Sequence, residues 1–362
     1  MKPAFIFCAL ALPACCPGIA CSQLAVRPGN PHIAYEGRVA VRADSAVFYW
    51  PGSSATISFT GTGATVTMRS LREPGYFYAI VDGDAARAFK FAADSSRRLI
   101  TVAEGLSDGR HTVQLYKLSN NTSANIFYGI NITGRARLHP PGRRPKRGIE
   151  FYGNSITAGH GVDVPSGKGD SGAPEFFNQH YTYAALTARH FGARASFIAR
   201  SGIGVLVSWF PEIMPEVYDR LDPFDSTSKW DFAGFRPDVV VINLLQNDYW
   251  LINNPNHPQF KARFGNTKPD AAAIIRAYRS FVASVRGKYP AAHIICALGN
   301  MNATEAGSSF PGYIREAVAQ LSDKRIHTLF FPYKKTPGHP VKEEQQAMAD
   351  ELIRFISKTV GW

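Results

Sequence analysis

The hydrophobic pattern of this chain changes period near Arg147, and that change constrains the fold more than any other feature. From about Arg27 to Leu138, apolar and polar residues alternate in short runs. Thr56-Ile57-Ser58-Phe59-Thr60 alternates, Gly61-Thr62-Gly63 turns the chain, and Thr65-Val66-Thr67-Met68-Arg69 alternates again. Residues 76–81 run into Asp82-Gly83-Asp84, a hairpin signal, and further strands are expected at 98–102, 111–117 and 126–133. One polar and one apolar face per strand requires sheets packed on one another, so this half is expected to be a β-sandwich of jelly-roll type. Beyond Arg147, apolar strands at 148–152, 195–199, 239–244, 293–298 and 326–330 alternate with helical stretches at 181–189, 271–285 and 312–321. A terminal helix places Met348, Leu352, Phe355 and Ile356 on one face. Strands alternating with helices predict a C-terminal α/β domain, a parallel sheet flanked by helices. The expected division is a leader over 1–20, the sandwich over 23–140, a linker over 141–147 and the α/β domain over 148–362.

The leader is read from Met1-Lys2, an apolar run to Leu12 and small residues up to Ala20. This pattern resembles a secretory signal with cleavage after Ala20, and the run is too short to span a bilayer. A secreted, extracellular or periplasmic protein without a transmembrane segment is expected. Leu12-Pro13-Ala14-Cys15 and Gly18-Ile19-Ala20-Cys21 resemble lipoprotein cleavage sites, so a lipid anchor is the alternative fate of this end. Four of the five cysteines, at positions 8, 15, 16 and 21, lie in or beside the leader. Cys296 stands alone in an apolar run and reads as a core residue, with no ligand spacing around it. No metal and no organic cofactor is expected. The net charge of +12 raises the question of nucleic acid. Its densest run, Arg143-Arg144-Pro145-Lys146-Arg147, falls in the linker, and no aromatic-interleaved basic stripe accompanies it. A nucleic-acid partner is therefore not expected, and the charge suits solubility or attraction to an anionic wall or polysaccharide.

The chemistry concentrates where α/β strands end. Ile149-Glu150-Phe151-Tyr152-Gly153-Asn154-Ser155-Ile156-Thr157-Ala158-Gly159 carries a hydroxyl across a strand-to-helix junction, where backbone N–H groups face incoming negative charge. Ser155 is a candidate nucleophile; its structural alternative is a plain helix cap. Gly338-His339-Pro340 supplies a candidate base, with Pro340 presetting the first turn of the last helix, and its alternative is a packing or capping role. The backbone N–H of Ser155, that of Gly202 in Arg200-Ser201-Gly202-Ile203-Gly204, and the side-chain amide of Asn247 are candidate oxyanion donors. A turn glycine and a loop cap are the alternatives for the last two. The serine neighbourhood does not match the G-x-S-x-G elbow, which argues against the common α/β-hydrolase arrangement.

These four blocks resemble those of the SGNH (GDSL-type) hydrolases, and nearly the whole chain resembles carbohydrate esterase family 2, the acetyl xylan esterase-like enzymes. Tyr35-Glu36-Gly37-Arg38 and Asp108-Gly109-Arg110-His111-Thr112-Val113 resemble that family's first domain. The resemblance implies a secreted serine deacetylase that removes O-acetyl groups from an acetylated polysaccharide or oligosaccharide, such as xylan or glucomannan. It assigns Ser155 as nucleophile, His339 as base, and Ser155, Gly202 and Asn247 as the oxyanion hole. Three departures stand out. Asn154 replaces the usual Asp, Leu245-Gln246 replaces the usual Gly-Thr, and Thr336-Pro337-Gly338-His339 lacks the acid that normally precedes the histidine. The implied machinery is then a Ser-His dyad, with a carbonyl of Thr336 or Pro337 orienting the imidazole and Glu343 a weaker alternative. Trp209, Tyr249 and Trp250 are candidate sugar platforms, the last two preferred because they follow Asn247-Asp248; burial in a core is the alternative. His160 is expected at the entrance to the site or on ordinary surface. Competing functions are a short-chain lipase or general esterase, and a catalytically inactive carbohydrate-binding protein.

Overall fold

Alternation over the first half produces twelve short strands, and the computed structural model describes residues 23–120 and 122–362. The leader, with its cleavage and anchoring motifs, lies outside the described residues. In chain order the strands are β1 (Gln23–Val26), β2 (Ile33–Glu36), β3 (Val39–Val41), β4 (Ala46–Phe48), β5 (Ser54–Gly61) and β6 (Gly63–Ser70). They continue with β7 (Gly75–Val81), β8 (Phe89–Ala93), β9 (Arg98–Ala103), β10 (Gly109–Lys117), β11 (Asn125–Thr133) and β12 (Arg137–His139). One antiparallel sheet runs β3-β4-β11-β6-β9, with β1 paired to β11; the other runs β12-β5-β10-β7-β8, with β2 paired to β5. The side chains pointing inward from both sheets, among them Phe48, Phe59, Val66, Met68, Phe77, Phe127 and Ile132, are buried. Each such side chain contributes about 1.5–3 kcal/mol by leaving water, which is why a strand displaced by one residue is not tolerated. The Asp82-Gly83 signal is realised as two successive left-handed residues, φ +52° and +76°, between β7 and β8. A short 3-10 turn at Ala85–Arg87, capped by Asp84, lengthens this connection beyond a two-residue hairpin.

The second half forms a five-stranded, wholly parallel sheet from β13 (Gly148–Gly153), β14 (Arg194–Ala199), β15 (Val239–Asn243), β16 (His293–Leu298) and β17 (Ile326–Phe330). Its order is β14-β13-β15-β16-β17. The helices are α1 (Ser155–Ala158), α2 (Tyr183–His190), α3 (Met214–Val217), α4 (Gln246–Ile252), α5 (Pro258–Phe264), α6 (Ala271–Lys288), α7 (Phe310–Leu321) and α8 (Lys342–Val360). Successive residues of a strand face opposite layers. Phe151, Val239 and Val241 pack with Tyr183, Ala184, Met348, Leu352 and Ile356 of α2 and α8. Tyr152, Val240 and Ile242 pack with Ile274, Tyr278, Phe281 and Ile314 of α6 and α7. Cys296 sits in β16 with its side chain fully buried. Because β13 lies between β14 and β15, chain connections leave it in opposite directions, which makes its carboxyl end the switch point at which such sheets bind ligands. Among the described residues, no helix is long and apolar enough to cross a membrane.

The sandwich is pinned to the α/β half by buried polar contacts. Arg38, fully buried, donates to the carbonyls of Tyr218 and Arg220 at 2.6 and 2.9 Å and pairs with Glu150 of β13 at 3.2 Å. Tyr152 and Tyr289 also donate to Glu150, and Trp50 Nε1 reaches the Leu221 carbonyl at 2.9 Å. Losing one partner of such a buried pair costs about 3–5 kcal/mol, so the two halves are held in one orientation.

Candidate active site

Ser155 is the first residue of α1, directly beyond β13, and is buried. The capping role falls to its neighbour: Asn154 Oδ1 accepts from the Ile156 N–H at 3.0 Å. The departure from Asp to Asn thus keeps the cap and removes a charge beside Ser155. Only glycine fits at 153, where a Cβ would lie 2.1 Å from Thr157 Oγ1. Gly159, at φ +84°, ends the helix after one turn. Gln345 of α8 braces this turn by donating to the Ile156 carbonyl at 3.0 Å while accepting from the Tyr183 N–H at 2.8 Å.

Gly202 follows β14 at φ +88°, and its carbonyl accepts from the Trp209 N–H at 3.0 Å. The loop after it is held by Asp248, whose fully buried carboxylate accepts from the N–H groups of Val205, Leu206 and Val207 at 3.0, 2.6 and 3.2 Å. Burial raises the Asp248 carboxyl to about 6, while these three donors pull the other way. Asn247 precedes it on α4. Its amide donates one hydrogen to the Ile203 carbonyl at 2.8 Å and accepts from Trp209 Nε1 at 3.0 Å. The Nδ2 group carries a second hydrogen, which suits it to an oxyanion. Leu245, in place of the usual glycine, adopts φ +78° with its side chain fully buried. The left-handed conformation costs roughly 1–2 kcal/mol, and burial of the leucine offsets it.

His339 precedes the last helix rather than starting it: α8 begins at Lys342 with Val341 as its cap, and Pro340 lies outside the first turn. The expected orienting group is also corrected. The carbonyls of Thr336 and Pro337 accept from Lys334 Nζ at 3.0 and 3.3 Å. Glu343 is exposed on α8, and no hydrogen bond joins it to His339. The group on His339 Nδ1 is the carboxylate of Asp170, which also accepts from the His339 backbone N–H at 3.1 Å. Asp170 comes from the long turn-rich segment between α1 and α2. Gly161 and Gly338, at φ +75° and +73°, leave the room it needs, since a Cβ on either would come within 3.3 Å of His339 or Asp170 side-chain atoms. Nothing near His339 in sequence signals this acid; the glycines on both sides of the contact are the only local trace.

His160 stacks on His339 with ring centroids 3.8 Å apart and planes 10° from parallel. Its Nε2 lies 2.8 Å from the other Asp170 oxygen. Burial lowers the His339 imidazole below its ordinary value, opposed by the Asp170 hydrogen bond and reinforced by the neighbouring His160. The two imidazoles hold the Asp170 carboxyl far below the carboxylate range despite its partial burial. Donor atoms of His160, Asp170 and His339 lie within 4.8 Å of one another, a set with the chemistry to bind a metal ion. The parallel rings each have their own carboxylate oxygen, an arrangement for two hydrogen bonds rather than for lone pairs converging on one ion. Of the aromatic candidates, Trp209 is 48 % exposed and bonded to Asn247, with His257 edge-on at 5.1 Å. Tyr249 packs edge-on against Phe310 at 5.3 Å and Trp250 against the α2–α8 layer, both half-buried.

A buried serine opening a helix beyond β13, a histidine backed by a carboxylate, and an asparagine amide with a hydrogen to spare are groups of the kinds that acyl transfer uses. Residues 35–141 match the profile "Carbohydrate esterase 2 N-terminal", and residues 151–351 match the "GDSL-like Lipase/Acylhydrolase family". The solved structure of an active-site mutant of a family two carbohydrate esterase from Clostridium thermocellum, in complex with a cello-oligosaccharide, is 30 % identical with a TM-score of 0.80. The match covers 92 % of this chain and 100 % of that one. The chain belongs to carbohydrate esterase family 2, within the GDSL-type hydrolases. It is also 31 % identical over 92 % of its length to the cellulase/esterase CelE of Acetivibrio thermocellus, spanning 40 % of that longer protein. An acetylxylan esterase / glucomannan deacetylase of Cellvibrio japonicus is 24 % identical, covering 93 % of this chain and 91 % of the relative. The two-domain architecture of this family 2 esterase, sandwich followed by GDSL-type domain, agrees with the fold expected from hydrophobic period.

Proposed function

We propose that this esterase removes O-acetyl groups from an acetylated polysaccharide such as xylan or glucomannan, with Ser155, His339 and Asp170 acting together. The observation that carries the reading is the Asp170 carboxylate on His339 Nδ1. A carboxylate only accepts, so it selects the tautomer protonated on Nδ1 and leaves the Nε2 lone pair as base. His339 takes the Ser155 proton as Oγ attacks the acetyl carbonyl. The oxyanion is met by the Ser155 and Gly202 N–H groups and the Asn247 amide. Collapse expels the sugar oxygen, to which His339 returns the proton, leaving an acetyl-enzyme. Water activated by the same imidazole then releases acetate.

Trp209 offers an exposed indole for a sugar face beside Asn247, while His160, Tyr249 and Trp250 have roles in positioning or packing. The proposed organisation keeps the sandwich over 23–140, the linker over 141–147 and the catalytic domain over 148–362, on a chain exported by its leader and secreted, periplasmic or lipid-anchored. The carboxylate on His339 argues against an inactive binding protein, whose histidine needs no oriented tautomer.

Acetate release from acetylated xylan and acetylated glucomannan tests the reading, alongside Ser155→Ala and Asp170→Asn. Release that vanishes in Ser155→Ala and falls roughly 10²–10⁴-fold in Asp170→Asn is expected. A chain whose turnover rises with acyl length on simple esters, without acetate from either glycan, is instead a general esterase.

A further inference from the structure

His160 makes three contacts that converge on the catalytic histidine's surroundings. Its ring covers one face of His339 at 3.8 Å, its Nε2 reaches Asp170 Oδ1 at 2.8 Å, and its Nδ1 lies 3.0 Å from Ser201 Oγ. Phe177 closes the pocket around His160, with centroids 4.7 Å apart. The Asp170 carboxylate is therefore divided, one oxygen to each imidazole. This division matters because Asp170 stands on a turn-rich segment, not at the end of a strand. Apart from its contacts to His339, its oxygens accept, among the described residues, only from His160 and, at 3.4 Å, from the Gly172 N–H. A carboxylate held at one oxygen can swing about its Cβ–Cγ bond; one held at both cannot.

We infer that His160 is a positioning residue for deacetylation, which clamps the second oxygen of Asp170 and supports the ring face of His339. Through Ser201 the same side chain ties the base to the loop that presents Gly202, so base and oxyanion donors share one register. With Nε2–H donated to Asp170, the Nδ1 lone pair of His160 is the acceptor for the Ser201 hydroxyl. The inference rests on the reading of Ser155 and His339 as nucleophile and base.

The test is a double-mutant cycle on acetate release, with His160→Phe, which keeps a ring but neither hydrogen bond, Asp170→Asn, and both together. His160→Phe is expected to lower kcat about 10- to 100-fold, the scale of a sub-ångström to ångström misplacement, with KM within about threefold of the parent. On the Asp170→Asn background the same change is expected to cost much less, because the group it positions is already impaired. His160→Gln, which restores a donor toward Asp170, is expected to recover part of kcat and serves as the reporter where the Phe variant does not fold, as judged by its thermal midpoint. A kcat within twofold of the parent in the folded Phe variant, no recovery by Gln relative to Phe, or, in whichever variant folds, an equal fold-loss on the parent and Asp170→Asn backgrounds, overturns the role. Full activity in Ser155→Ala or His339→Ala would instead overturn the reading beneath it.

Discussion

At the scale of single residues, the site turns on how one imidazole is kept neutral yet basic. Burial disfavours the imidazolium of His339 and Asp170 favours it, and burial dominates, so its ionisation falls below the ordinary histidine value near 6.5. In the proposed mechanism the working form is the unprotonated one, present above that ionisation and lost as pH falls through it. The acid limb of kcat/KM on an acetylated substrate is thus expected to have its midpoint below about pH 6.5. Asp170→Asn removes the interaction that raises the ionisation, so its limb is expected at lower pH still, with a reduced plateau. A midpoint above 7 in the parent would contradict this balance. The groups that face His339 are Asp170, His160 and Lys334, so substitutions at these positions are expected to move the limb.

At the scale of elements, the loops after the strands are made rigid by buried acceptors. The loop between β14 and α3 has no regular hydrogen-bonding partner over Val205–Val207, and Asp248 from α4 supplies one for all three N–H groups. Gly204 allows the approach, since a Cβ there would lie 2.6 Å from Asp248 Oδ2 and 2.0 Å from the Val207 carbonyl oxygen. Removing the acceptor strands three buried or part-buried donors, each worth about 1–3 kcal/mol when unsatisfied. Asp248→Ala is therefore expected to lose at least ~3 kcal/mol of stability by denaturant unfolding, with kcat falling in the surviving folded protein as Gly202 loses its support. A loss below about 1 kcal/mol would show that water replaces the carboxylate there.

At the scale of the whole molecule, the sandwich reaches the loop that carries Gly202. Asn120, just beyond β10 and buried, accepts from the Ser201 N–H through Oδ1 at 3.1 Å, next to Gly202. Its own carbonyl accepts from Lys117 Nζ at 2.9 Å, and that ammonium also reaches the Ser119 carbonyl and hydroxyl at 3.2 and 3.0 Å. Burial lowers the Lys117 amine to about 7, so three acceptors work against its desolvation. Asn120→Ala is expected to lower kcat several-fold to about 100-fold with a small change in KM, measured by acetate release. Asn120→Asp, which retains an acceptor oxygen, is expected to lose less; equal kcat for parent and alanine variant would make this contact purely structural.

Hydrophobic period along the chain determined the sandwich, the parallel sheet and the junctions where Ser155, Gly202, Asn247 and His339 stand. These features are legible because alternation and helical spacing are properties of neighbouring residues, and because glycines mark turns that other residues resist. The short edge strands β3 and β12, and the one- and two-turn helices α3, α4 and α5, carry too few residues to show a period. Tertiary structure alone decided which acid faces His339. Asp170 and His339 are 169 residues apart, so a search near the histidine finds carbonyls and the acids of the following helix, Glu343 and Glu344. The same holds for His160, read from the sequence as lining the entrance or as ordinary surface and laid on His339 by folding, and for Asn120, to which no sequence signal assigned a role. Side-chain partners of this kind are fixed by the three-dimensional meeting of distant segments, and no local pattern of residues encodes that meeting.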